Sequence, residues 1–380
     1  MLQDLIPQLH ALVPDMLRLT RELVEVNSYT QNIAGVNQVG AQLKAAFALP
    51  ELSLTEHASE RCGAHLVWST PASAAQPPLL LIGHHDTVFP PGHFEGYREE
   101  QDRAYGPGCL DMKGGLAIIW GVMKVLSQAG ALGSLPLSIV CVADEETGSA
   151  DSQVHLEALA RRAHAALVFE AGRRGDAIIT ARRGVGGLRV IAEGRAAHAG
   201  AAHKEGRNAI RSLARFVELA EAQTDYARGT TVNVGTIRGG TTPNTVPEQA
   251  QAEVDLRFEN VADAQALLQA LRAAAASCAL PDTRLRLVGG IKRLPLERTA
   301  ASRALYEAYA ECQRLAGLGT EEHPLVGGGS DANTVSGVGL PAIDGLGPRG
   351  SGFHTTHEYI EPSSFGPKAE ALLRFLCSER

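Results

Sequence analysis

The sequence predicts an α/β protein: a mostly parallel sheet with helices on both faces, plus an inserted α+β segment of βαββαβ, ferredoxin-like order. Three observations predict it. Short apolar runs, such as LLLIG at 79–83, LSIVCV at 137–142 and AALV at 165–168, alternate with helical stretches. Continuous runs of that length suit strands buried on both faces. From about Arg183 the order changes to strand, helix, strand, strand, helix, strand, and after about residue 291 the first texture returns. The expected division is therefore a discontinuous domain, 1–182 with 292–380, interrupted by an inserted domain, 183–291.

In chain order, residues 5–26 carry helical periodicity broken at Pro14, and a second helix is expected over 36–47. Strands follow at 52–55 and 64–69, then a PASAAQPP surface loop, then the strand at 79–83. An apolar helix starts near Lys113, a strand at Leu137, a helix covers 152–163, and AALVFEAG forms a further strand. In the inserted segment, strands are expected at 187–192, 231–238, 250–258 and 283–288, with helices at 208–222 and 262–277. The C-terminal part offers a helix over 302–316, a Gly-rich HPLVGGGSDAN turn, a GFHTTHEY loop and a helix over 365–376 with Glu370 and Arg374 on its polar face.

Composition excludes several functions. At 380 residues the chain is long enough for two domains. A net charge of -7, without a basic patch interleaved with aromatics, argues against nucleic acid as a partner. The six cysteines are scattered and form no CxxC pair, so neither a disulfide framework nor a thiolate zinc site is expected. Cys141 reads as a small apolar filler. The N-terminus reads as an amphipathic helix, without the basic start of a signal peptide. No apolar run is long enough to span a bilayer, so a cytoplasmic protein without a membrane partner is expected.

The chemistry gathers where the apolar runs end. The run from Leu137 stops at Asp144, Glu145 and Glu146; the run from Leu79 stops at His84, His85 and Asp86; AALVF stops at Glu170. Asp111 stands before an apolar helix, where it is also a good N-cap, and Gly114 and Gly115 permit close backbone approach. Taken alone, each has a bland alternative: a polar turn, an exposed histidine pair, a helix cap. Together they decorate several strand ends of a parallel sheet, the edge at which such sheets bind ligands. Of these, His84, Asp111, Glu146 and Glu170, joined by His354, make two imidazoles and three carboxylates, a donor mixture suited to zinc, with Asp86 and Glu145 in reserve. Five ligands fit two ions if one carboxylate bridges, and Asp111 is the natural bridge. Glu145 is then left to take a proton from water and give it to a leaving amine, as in an amide hydrolase. Asp144 has a surface or capping role.

These residues resemble the zinc aminoacylase and carboxypeptidase family. HHDTV, GPGCLDMKGG, DEETGS, FEAG, GRAAHAG, PNTVP, GGSDAN and FHTTHEY occur in family order over nearly the whole chain. The resemblance implies that His84, Asp111 and Glu170 hold one zinc ion and Asp111, Glu146 and His354 the other. Co2+ or Mn2+ would serve as substitutes. It implies Glu145 as general base, Asp86 as partner of His84, and a non-proline cis peptide after Asp111. His357 is the alternative to His354, and the spacing to Glu358 and Tyr359 favours His354. The inserted segment is implied to be a lid and dimerisation domain, with a homodimer as the assembly. His198 and Asn244 are implied to act on the scissile carbonyl or bind substrate, and Arg257 to grip the substrate carboxylate. The implied reaction is cleavage of an amide beside a free carboxylate, by a carboxypeptidase releasing a residue such as glutamate. An N-acyl-amino-acid deacylase is the second expectation, and a non-catalytic metal-binding protein the third.

Overall fold

The computed structural model describes residues 2–378, and the chain divides into two compact units. One comprises Met1–Ala181, Arg298–Leu325 and Ser330–Arg380; the other comprises Arg182–Glu297 and Val326–Gly329. The inserted segment expected at 183–291 thus extends further, because its last strand, Arg284–Arg293, runs past that boundary.

In the first unit, six strands order as Ser53–His57, His65–Ser69, Leu137–Val142, Leu79–His84, Ala165–Val168 and Ala342–Ile343. The last four run parallel, while the first two form a hairpin that joins antiparallel. Alternate side chains of the central strands bury on opposite faces, as strand geometry requires. Leu79, Leu81 and Ile139 join a core with helices Gly114–Gln128 and Phe365–Ser378, while Leu80, Ile82 and Val140 are buried too. That is why these strands read as unbroken apolar runs.

The helix expected over 5–26 is two helices, Leu2–Ala11 and Val13–Val24. Pro14 sits in the first turn of the second, where its missing N–H costs nothing. The polar face expected at the last helix is largely covered. Glu370 is 8% exposed and pairs with both Arg374 and His10, from the first helix.

The second unit is a four-stranded antiparallel sheet in the order Thr231–Gly239, Gln249–Phe258, Gly184–Glu193, Arg284–Arg293. Helices Ala209–Glu221 and Val261–Cys278 pack on one face, where Leu188, Val190, Phe216, Leu256 and Leu271 make the core. The burial of Gly184–Glu193 alternates residue by residue, the mark of a sheet covered on one side. Asn208 and Asn260 cap the two helices through their side chains.

Candidate metal centre

The carboxyl ends of three parallel strands converge. His84 is the last residue of its strand and lies opposite Val142, so the Asp144–Glu146 turn emerges beside it. Glu170 follows Val168, with Phe169 N–H donating to Ile82 C=O at 3.0 Å. Asp111 comes from the loop ahead of helix Gly114–Gln128, its backbone outside helical values (φ −117°, ψ 87°). The N-cap position belongs to Lys113, so Asp111 is not capping that helix and its carboxylate is turned elsewhere. The peptide bond after Asp111 is cis. Gly115 permits the close approach here, since a Cβ at that position would stand 2.3 Å from Phe169 O.

Asp111 is the centre of the cluster. Its Oδ1 lies 3.2 Å from His84 Nε2, which is also 3.7 Å from Glu170 Oε1. Its Oδ2 lies 3.3 Å from His354 Nε2, which is 3.0 Å from Glu146 Oε2. Glu145 presents a carboxylate oxygen within 4.8 Å of donor atoms of His84 and Glu170. His354 holds a left-handed backbone (φ 63°), an uncommon conformation for histidine. His357 is exposed on the same loop.

Asp86 is fully buried and ties two parts of the cluster together. It faces His84 Nδ1 through its backbone oxygen at 3.1 Å and Oδ1 at 3.3 Å, an arrangement that turns Nε2 toward Asp111. The same carboxylate accepts the backbone N–H groups of Glu145 and Glu146, each at 3.2 Å, and the Thr30 hydroxyl at 2.7 Å. Asp144 is buried rather than at the surface, and its side chain makes no cap bond to the turn Glu145–Thr147 that it precedes. Its Oδ2 accepts the Asp151 and Ser152 N–H groups ahead of helix Gln153–Ala160.

The electrostatics show a site short of positive charge. Burial pushes the Glu146 carboxyl up to about 8, and the Asp111 charge adds to it. Burial and Asp111 likewise raise Glu170 well above the carboxylate range. For Asp111 burial also opposes ionisation, but hydrogen bonds with His354 and His84 outweigh it and hold the carboxyl well below its usual range. His354, between Asp111 and Glu146, is raised to about 10. Buried carboxylates converging with imidazoles in mixed N and O donor sets suit a divalent cation. A second group, Cys62, His65 and Asp144, also has donor atoms within 4.8 Å of one another. There, however, His65 Nδ1 accepts the Ala143 N–H at 3.1 Å, so a neutral ring carries its proton on Nε2, which lies 3.1 Å from Asp151 Oδ1. That nitrogen is committed to donating, and burial raises the Cys62 thiol to about 11. The group is a structural tie between the hairpin and the Asp144 turn.

Three expected substrate residues belong to the second unit. His198 is exposed, and its Nδ1 accepts the N–H groups of Gly200 and Ala201, each at 3.1 Å. A neutral His198 ring therefore carries its proton on Nε2. The Asn244 C=O accepts the Ala199 N–H at 2.9 Å, which sets the two loops side by side. Arg257 makes a forked pair with Asp255, Nε to Oδ2 at 2.8 Å and Nη2 to Oδ1 at 3.2 Å.

Sequence reasoning missed two contributors. Thr30 reaches Asp86 from 56 residues away, and nothing in a lone threonine signals it. Glu358 is fully buried and accepts the N–H groups of Gly108, Leu110 and Asp111. Its place just after His357 was visible, but its target is about 250 residues earlier in the chain.

Comparison with known proteins places the chain among peptidases. Residues 180–283 match the peptidase dimerisation domain of the M20 family. Carboxypeptidase G2 of Pseudomonas sp. (strain RS-16) is 29% identical over 361 residues, which covers 92% of this chain and 86% of that protein. A probable carboxypeptidase of Aspergillus oryzae is 30% identical over 272 residues, 64% of this chain and 61% of that protein. Aminopeptidase PepT of Bacillus cereus shares the fold with a TM-score of 0.78 at 22% identity, covering 96% of this chain and 98% of that one. The M20 family metallo-carboxypeptidase Sso-CP2 of Sulfolobus solfataricus gives 0.74 at 17% identity, covering 95% and 98%. The chain thus carries a segment that matches the M20 peptidase dimerisation domain, is similar over most of its length to a carboxypeptidase, and shares its fold with an M20 family metallo-carboxypeptidase.

Proposed function

We propose that this chain is a zinc-dependent carboxypeptidase that releases a C-terminal amino acid, such as glutamate, from a small peptide. The observation that carries this reading is Asp111, whose two oxygens reach different histidines, each paired with its own glutamate. On that geometry His84, Asp111 and Glu170 would hold one ion, and Asp111, Glu146 and His354 a second. When bound, such a pair of ions polarises the scissile carbonyl and acidifies the attacking water.

The chain's own residues do the rest. Glu145 takes the proton of the attacking water and passes it to the leaving amine. Its main chain is held by Asp86, which keeps the base in register with Glu146. His198, with its proton on Nε2, is set to donate to a carbonyl oxygen, and Asn244 lies on the adjoining loop. Arg257 grips the substrate carboxylate by exchanging it for Asp255. The match to a peptidase dimerisation domain supports a homodimer through the second unit. A cytoplasmic setting belongs to the same reading, with the composition as its support.

The test is a panel of dipeptides and N-acyl amino acids, assayed with protein verified to carry zinc. Release of the C-terminal residue from dipeptides is the expected result. Hydrolysis of the N-acyl amino acids alone would make the chain a deacylase, and no hydrolysis of either class would overturn the reading.

A further inference from the structure

The loop 108–111 carries Asp111 outside any regular helix, so no helical hydrogen bond fixes the peptide that aims its carboxylate. Glu358 holds it instead. Its Oε1 accepts the N–H groups of Leu110 at 2.8 Å and Asp111 at 3.0 Å, and its Oε2 accepts Gly108 N–H at 3.1 Å. Its backbone C=O accepts the Gly106 N–H at 3.4 Å. Glu358 is fully buried, and in its ionised form a carboxylate makes charge-assisted bonds about twice as strong as neutral ones.

The same loop carries His354, four residues earlier, whose Nε2 lies 3.3 Å from Asp111 Oδ2. One loop therefore grips Asp111 at both ends, by its carboxylate through His354 and by its main chain through Glu358. We propose that Glu358 is a positioning residue, one that fixes the direction of the two Asp111 oxygens and hence the separation of the two metal positions. The inference rests on the reading of Asp111 as a shared ligand. A merely structural acid would satisfy the three N–H groups and stabilise the fold, but its loss would leave metal affinity alone.

Glu358→Gln separates the two roles. The amide oxygen can replace Oε1 at Leu110 and Asp111, while the amide nitrogen meets the Gly108 N–H, donor against donor. Zinc affinity is read by competition with a chromophoric chelator, and the fold of metal-free protein by thermal unfolding. The expected result is a metal-free variant that folds while zinc binding weakens roughly 10- to 100-fold, the usual cost of losing an outer partner of a metal ligand. Glu358→Asp, which keeps the charge and loses the reach, should show the same loss. Wild-type affinity for both ions in either folded variant would overturn the inference. Should neither variant fold, amide hydrogen exchange in metal-free wild-type protein decides: Leu110 and Asp111 must be as protected as helix Gly114–Gln128, and rapid exchange there would also overturn it. Fewer than two zinc ions in the wild-type protein would instead sink the shared-ligand reading.

Discussion

Asp111 Oδ2 lies 3.3 Å from His354 Nε2, and the opposite oxygen of the same carboxylate lies 3.2 Å from His84 Nε2. A carboxylate so placed has one oxygen for each of two cations, and a neutral amide of the same shape has only one. We expect about two zinc ions per wild-type chain by elemental analysis, falling to one or fewer in Asp111→Asn. Two ions retained by that variant would refute the bridging role.

Glu145 stands against His84 and Glu170, and its main chain is tied to Asp86. Glu145→Gln preserves shape and removes the proton acceptor. Turnover should fall by roughly 10²- to 10⁴-fold, the usual contribution of general base catalysis, with zinc content unchanged. Activity within a few-fold of wild type would show that another group moves the proton.

Lys368 offers a stability test away from the cluster. It is fully buried, and its Nζ is 3.5 Å from Asp176 Oδ1, a long contact for an ion pair. Burial lowers the ammonium from 10.5 to about 8, although Asp176 works in the other direction. Between about pH 8 and 10.5 the unfolded chain thus binds a proton that the folded chain has lost, so stability rises with pH across that window. Below about pH 8 the folded state carries a buried cation, at a cost of about 3 kcal/mol relative to high pH. Asp176 also has the Arg349 guanidinium, at 3.0 and 3.2 Å, so it is not stranded by the loss of Lys368. Lys368→Met should match or exceed wild-type stability at pH 7 and abolish this rise. Urea unfolding at pH 7, 8.5 and 10 measures it, and an identical slope in the variant would refute the assignment.

Much of the site was legible because strand ends advertise themselves. The runs at 79–83, 137–142 and 165–168 are apolar for a reason intrinsic to their position, burial on both faces. Where each stops, the first polar side chains must stand at the carboxyl edge of the sheet. His84, Glu145, Glu146 and Glu170 were found that way. Asp111 was harder, because a residue before a helix is equally well placed to cap it; only the Lys113 cap position and the direction of the Asp111 backbone decide against that. Asp144 was not legible in place, being buried with its Oδ2 bound to the N–H groups of the two residues ahead of helix Gln153–Ala160. Glu358 and Thr30 were not legible, since their hydrogen bonds cross about 250 and 56 residues and follow no local period.

The sequence by itself determined the alternation of elements, the inserted βαββαβ segment and the kinds of donor atom available at the strand ends. Those follow from periodicity and burial, which are local and additive along the chain. Only the tertiary structure decided which oxygen of Asp111 meets which histidine, that Asp86 holds both His84 and the Glu145–Glu146 turn, and that Glu358 clamps the Asp111 main chain. Hydrogen bonds and pKa shifts depend on distances of a few ångströms between segments far apart in sequence, and such distances exist only once the sheet has assembled.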